Sequence, residues 1–324
     1  MKKVIIYIIC LSFVNVVLSQ TDTIKDIKDN KLEKDYELSW HNYQIGDYKA
    51  AKNIILPYYK KGDAPKDVYQ LLGNIYDEMG DKTKAASIYD EGLSKYSKAG
   101  CLFLEKGNLE FKDGRYPQAL YWYEKGIEAE PMFASNYYMA AQVFFLSTET
   151  VWGIMYGEIF MLLEQNTNRC TNMSKELFDA YFNSITLQKG KAICDFNNSM
   201  IVYSNSFERP NMFPKTFNNL MTEVCKNKSF INIASLTQIR QKFLTLINSR
   251  AKDMNNPLFD YHRQLIQSNN FEAYNYWLFA YGNSSEASTW LKQNKNKLNN
   301  LQKYLKQHPI TLTNNNFFSR YLME

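Results

Sequence analysis

The sequence predicts an all-α chain: a solenoid of antiparallel helix hairpins followed by a helical C-terminal extension. Three observations predict it. Gly46, Gly80 and Gly114 are separated by 34 residues, twice. An alanine follows each by five residues (Ala51, Ala85, Ala119), and a bulky residue comes four later (Ile55, Tyr89, Tyr123). Elsewhere apolar residues recur at helical spacing, and strand signals are scarce. A fixed period of this length marks a supersecondary unit that buries its apolar face only by stacking on its neighbours.

Residues 1–20 come before the repeats. Lys2 and Lys3 precede an apolar run from Val4 to Leu18, broken only by Asn15. Val17 and Ser19 stand at −3 and −1 of a cut before Gln20, the three-part pattern of a secretory signal peptide. Two other readings fit less well. The apolar run is short of the roughly 20 residues of a membrane anchor. Ile9 precedes Cys10 where a lipoprotein signal has a small residue. The expected protein is therefore exported to the periplasm, cell envelope or exterior. Residues 1–19 are the signal, 20–31 a polar linker, and the mature chain has no membrane span.

The repeat units run over 32–65, 66–99, 100–133 and 134–167. Gly73 and Gly107 lie seven residues before the second and third turn glycines. With the alanines they mark points where two helices approach too closely for a larger side chain. The mid-unit glycine is expected to end the first helix in a left-handed conformation, and Pro131 stops the third unit. Ser39 replaces the early glycine of the first unit. In the fourth, Thr148 replaces the turn glycine, while Ala141 and Gly153 keep the small positions. MYGEIFMLLEQ at 155–165 reads as a long amphipathic helix.

These residues resemble the tetratricopeptide repeat family over 32–167, with three clear units and a degenerate fourth. The resemblance implies a concave groove lined by the first helix of each unit. It assigns to that groove Tyr36, Trp40 and Tyr43, then Gln70, Asn74 and Asp77, then Asn108 and Phe111, and lastly Tyr138 and Gln142. Asn74 and Asn108 recur at one position, and an amide there can both donate to and accept from a ligand backbone. The implied function is an exported scaffold that binds a peptide or partner protein. The basic clamp of chaperone-binding relatives is missing, because Cys101, Glu105 and Trp40 occupy its places.

Residues 168–324 show helices without a defensible period. Ser235 with Gln238 reads as a capping box before Leu236, Ile239, Phe243 and Leu246. Asn256-Pro257 starts the next helix. FEAYNYWLFAYG forms a short helix ending at Gly282. Asn283 with Glu286 caps one last long helix, which Pro309 stops. INIA at 231–234 is the best strand signal and reads as loop. Residues 197–215, with Pro210 and Pro214, form the least regular stretch, a functional loop or a hinge.

Composition excludes several classes. A 45% hydrophobic content rules out disorder, and a net charge of +5, falling to +3 without Lys2 and Lys3, does not point to nucleic acid. Cys101, Cys170, Cys194 and Cys225 fit no zinc spacing. Cys170–Cys194 is the favoured disulfide, with free buried thiols the alternative. His41, His262 and His308 are scattered, and Asp260 and His262 lie two apart on a helix, so they do not face each other. No catalytic, cofactor or metal site is expected, and the chain is read as non-enzymatic. Two other functions remain: carbohydrate binding on aromatic platforms, and a hydrolase site in the C-terminal half.

Overall fold

The computed structural model describes residues 30–188, 191–197 and 212–323. The expected signal segment 1–19, linker residues 20–29 and most of the irregular stretch 197–215 lie outside the described residues. Contacts divide the chain into two compact units, one ending at Trp122 and the other beginning at Tyr123.

The first unit is built from α1 (Asn30–Gln44), α2 (Tyr48–Lys60), α3 (Lys66–Glu78), α4 (Lys82–Lys95), α5 (Gly100–Lys112) and the start of α6 (Tyr116–Ala129). The turn glycines break each first helix as expected, with φ between 74° and 86° at Gly46, Gly80 and Gly114. At the second turn the Gly80 N–H donates to the Asp77 carbonyl and the Asp81 N–H to the Tyr76 carbonyl, both at 2.9 Å. This pair of bonds satisfies carbonyls that a helix end leaves unpaired. Asp81 then caps α4 by accepting from the Lys84 N–H at 3.0 Å, and Asp47 caps α2 in the same way.

Ala51, Ala85 and Ala119 are fully buried. A Cβ on Gly73 would come within 2.1 Å of the Tyr89 ring, so the early glycine is what lets α3 and α4 close. Ser39 fits the same position in the first hairpin because its buried hydroxyl donates to the Ala51 carbonyl at 2.9 Å.

The second unit begins inside α6 and continues with α7 (Ala134–Phe145), α8 (Thr150–Leu163) and α9 (Asn168–Ser184). In α8 every residue from Val151 to Leu162 is buried, so the helix is central and not amphipathic. Trp152 stacks on Phe213 at 5.0 Å, and Tyr156 meets the edge of Phe318 at 5.1 Å.

The 34-residue period runs one helix further than the sequence suggests. Arg169 on α9 donates to Ser135 on α7 at 3.0 Å, and Gln142 on α7 donates to Glu176 on α9 at 2.6 Å. Both pairs are 34 residues apart. Among the described residues no second helix directly follows α9. An antiparallel hairpin takes its place, with β1 (Ile185–Gln188) paired to β2 (Lys191–Cys194) and Ile185 opposite Cys194.

The remaining helices are α10 (Met212–Cys225), α11 (Ile233–Arg250), α12 (Pro257–Gln267), α13 (Phe271–Leu278), α14 (Ser284–Gln293) and α15 (Lys295–Gln307). Three expectations are corrected. The cap of α11 is Asn232 with Ser235, each accepting from the other's N–H, so the helix starts within INIA and three residues before the predicted box. The last long helix is two, because Asn294 leaves helical geometry and its side chain donates to the Trp290 carbonyl. Cys170 is not joined to Cys194; its thiol donates to the Glu164 carbonyl at 3.2 Å, and all four described cysteines are buried thiols outside any disulfide. The Asn256 cap with Pro257 in the first turn forms as expected. After α15 the chain returns over α6 and α8, burying Ile310, Leu312 and Phe318, with the Arg320 N–H on the Tyr156 hydroxyl at 2.8 Å.

Candidate functional site

The first helices α1, α3 and α5 carry eight of the ten groove candidates, and Glu105 on α5 organises their polar members. One Glu105 oxygen accepts from Gln70 Nε2 at 2.8 Å and from Asn74 Nδ2 at 3.4 Å. The other accepts from Asn108 Nδ2 at 2.9 Å. Tyr89 donates to Asn74 Oδ1 at 2.5 Å, so the Asn74 amide is engaged on both sides. Burial pushes the Glu105 carboxyl above its usual range, and the amide donors pull against that.

This geometry sorts the candidates. Tyr36, Gln70 and Asn74 are buried and belong to the packed floor. Trp40, Tyr43, Asp77, Asn108 and Phe111 are half-buried and reach the surface. Trp40 stacks on Tyr43 with ring centres 5.4 Å apart, and Phe111 meets the edge of Tyr116 at 5.2 Å. Asp77 accepts from Lys112 at 2.6 Å, and Lys112 also reaches Glu78 at 2.9 Å.

The last two candidates belong to the second unit. Tyr138 is buried against Phe160, with the Arg169 guanidinium 5.2 Å from its ring centre. Gln142 is half-buried on Glu176. Burial raises the Glu176 carboxyl to about 7; the Gln142 hydrogen bond opposes this and Asp179 adds to it. Asn74, Asn108, Gln142 and Glu176 thus occupy one register position at 34-residue intervals. Sequence reasoning recognised the two asparagines and missed the carboxylates, although a buried acid beside recurrent amides is a signal that could have found Glu105.

A second polar cluster lies in the core of the C-terminal unit. Glu158 Oε1 accepts from Arg240, from His262 Nε2 at 2.7 Å and from the Tyr274 hydroxyl at 2.9 Å. Arg240 also donates to Asn275, and the Phe271 and Phe279 ring centres lie 5.5 and 5.3 Å from its guanidinium. Burial alone would raise the Glu158 carboxyl, but Arg240 and His262, with hydrogen bonds from His262 and Tyr274, hold it at about 2. Burial lowers His262 below its ordinary value, against the pull of Glu158.

An acid, a base and a cation together have the composition of a catalytic centre. The adjoining cavity, however, is about 10 Å³, room for one water and no substrate. The cluster therefore reads as a structural core network. His262 faces Glu158 while Asp260 pairs with Arg263, as their helical spacing requires. His41 and His308 are exposed. Among the described residues no three His, Cys, Asp or Glu side chains form a set able to hold a metal. No described helix is long and apolar enough to cross a membrane.

No protein-family model and no curated protein sequence matches the chain. Among solved structures, one described as the functional characterization of Pseudomonas aeruginosa pilF is similar at 12% identity, covering 86% of this chain and 98% of that one with a TM-score of 0.42. The run of hairpins in the chain itself carries the fold.

Proposed function

We propose that this chain is a non-enzymatic interaction scaffold, exported to the cell envelope, whose first-helix face in the N-terminal unit receives a peptide or helix of a partner protein. The observation that supports this most is the Glu105 network. It fixes three amide side chains from two helices around one carboxylate, with Asn108 half-buried at its edge; Asp77, held by Lys112, and Trp40, Tyr43 and Phe111 are half-buried on the same first helices. A pre-ordered polar strip between aromatic rings suits a polypeptide, which offers backbone hydrogen-bonding groups and alternating side chains. Trp40 packs on Tyr43 and Phe111 on Tyr116, which holds these rings in place beside the polar groups. Export rests on the sequence of residues 1–19.

The test is site-specific photocrosslinking in the native cell. A photoreactive side chain at Trp40 or Phe111 should give a discrete adduct with one partner. The same group at Lys84, exposed on the second helix of its hairpin, should give none. Equal adducts from both positions, or none from either, would remove the groove reading.

A further inference from the structure

We propose that Cys194 and Cys225 form a disulfide, a covalent clasp between the β-hairpin and the end of α10. Three observations converge on this pair. The backbone of β2 is docked on α10 in a defined register: the Cys194 N–H donates to Thr222 Oγ1 at 3.3 Å and the Phe196 N–H to Asn218 Oδ1 at 2.9 Å. Thr222 lies one turn before Cys225, so the strand end is held beside the last turn of the helix. The Phe196 and Phe217 rings, 5.1 Å apart, fix the same junction from its apolar side.

Within that junction the two thiols are near enough to shift each other's ionisation. That proximity lowers Cys194 below its ordinary range and raises Cys225 above it in the folded junction. Cys170 is engaged with the Glu164 carbonyl and Thr167 instead.

The chemistry is thiol–disulfide exchange with a small-molecule disulfide as oxidant. The thiolate of one cysteine of the pair attacks a sulfur of the oxidant and releases a thiolate, leaving a mixed disulfide. The other cysteine then gives up its proton, attacks the protein sulfur of that mixed disulfide and expels the second thiolate. The protein loses two hydrogens, and the oxidant becomes two thiols. Both cysteines are buried, so the exchange belongs to the folding chain, before the junction closes. The inference rests on the export reading for its oxidising compartment only; the docking geometry is independent of it.

The test uses the full chain, reduced and unfolded, then refolded with oxidised and reduced glutathione and alkylated under denaturing conditions. Peptide mapping should find one link, between the Cys194 and Cys225 peptides, with Cys101 and Cys170 alkylated. The oxidised form should unfold at higher denaturant than the reduced form, and a Cys194→Ser variant should lose that difference. Four alkylated thiols, or a link through Cys101 or Cys170, would overturn the proposal. Mapping the chain recovered from cell fractions separates the two readings. A link in the refolded protein with a cytosolic chain removes export and leaves the pair; no link in the refolded protein removes the pair wherever the chain resides.

Discussion

His262 and Glu158 lie 2.7 Å apart in the core of the C-terminal unit although 104 residues separate them in the chain. Arg240 shares the same carboxylate oxygen, so α8, α11 and α12 meet at a single acceptor. A buried pair of this kind adds little net stability when whole, but losing one partner leaves the other charged in a dry interior. Glu158→Gln should therefore destabilise the unit by about 3–5 kcal/mol at neutral pH, and Arg240→Met by a similar amount. The double variant should cost clearly less than the sum. Denaturant titration of the four proteins checks this coupling.

The same cluster sets an acid limit. Glu158 has an ordinary value of 4.5 and is held at about 2 in the folded protein. Between those values the unfolded chain binds more protons, so stability falls as pH falls from about 4.5 toward 2. His262 acts in the same direction: its folded value is below the ordinary 6.5, so its contribution begins to fall as pH drops through 6.5. His262→Gln should flatten the stability profile just below pH 6.5 and shrink the decline below 4.5 without abolishing it, because Arg240 and Tyr274 still hold Glu158 low. Thermal melts across pH would show it.

How much of this was legible depended on whether a residue's role was local. Gly80 and Gly114 announced themselves because a left-handed turn admits little else, and Ala85 and Gly73 because a close helix pair excludes bulk. Asn256-Pro257 was legible for the same local reason. Position α9 in the array was not, since Phe182 stands where a turn glycine would be and a β-hairpin replaces its second helix. Glu105 and Glu158 carry no local sign of burial. Their burial depends on partners that no spacing reveals: Gln70 is 35 residues from Glu105, and Arg240 is 82 from Glu158. The break at Asn294 was missed because Trp290 and Leu291 continue the apolar face on its near side and Leu298 on its far side.

Asn74 and Asn108 share a register position but not an environment, and this separates their expected phenotypes. Asn74 is buried, donates to Glu105 and accepts from Tyr89. Asn74→Ala leaves the buried Tyr89 hydroxyl without its acceptor and removes one of three donors to Glu105, and should cost about 2–3 kcal/mol. Asn108 is half-buried with its amide on the second Glu105 oxygen, so Asn108→Ala should cost about 1 kcal/mol. If the first-helix face holds a partner, Asn108→Ala should weaken crosslinking at Trp40 while the protein stays folded. Circular dichroism melts alongside the crosslinking assay separate the two effects.

Gly73 tests the hairpin geometry directly. Its φ is ordinary, so Gly73→Ala carries no backbone penalty and would gain helix propensity on an exposed helix. Here the added methyl meets the Tyr89 ring at 2.1 Å, and that ring is fully packed and bonded to Asn74. Gly73→Ala should therefore destabilise by about 2 kcal/mol or more, opposite in sign to propensity. A compensating Tyr89→Phe does not relieve the clash, whereas Tyr89→Leu should restore part of the loss. Equilibrium unfolding of the two double variants distinguishes steric crowding from loss of the hydroxyl.

Glu176 runs against the acid trend. Its carboxyl is raised from 4.5 to about 7 by burial, with Asp179 adding to the shift and Gln142 opposing it. Between those values the folded chain binds the extra proton, so this group's contribution is fully present below pH 4.5 and is lost as pH rises through about 7. Glu176→Gln keeps the shape and the partner on Gln142 but removes the titration. The variant should match the parent near pH 5, exceed it in stability at pH 8, and show a flatter profile between. Because Glu158 and His262 titrate with the opposite sign, removing the Glu176 titration should move the pH of greatest stability upward. A variant that loses stability equally at pH 5 and pH 8 would assign Glu176 a packing role without a charge effect.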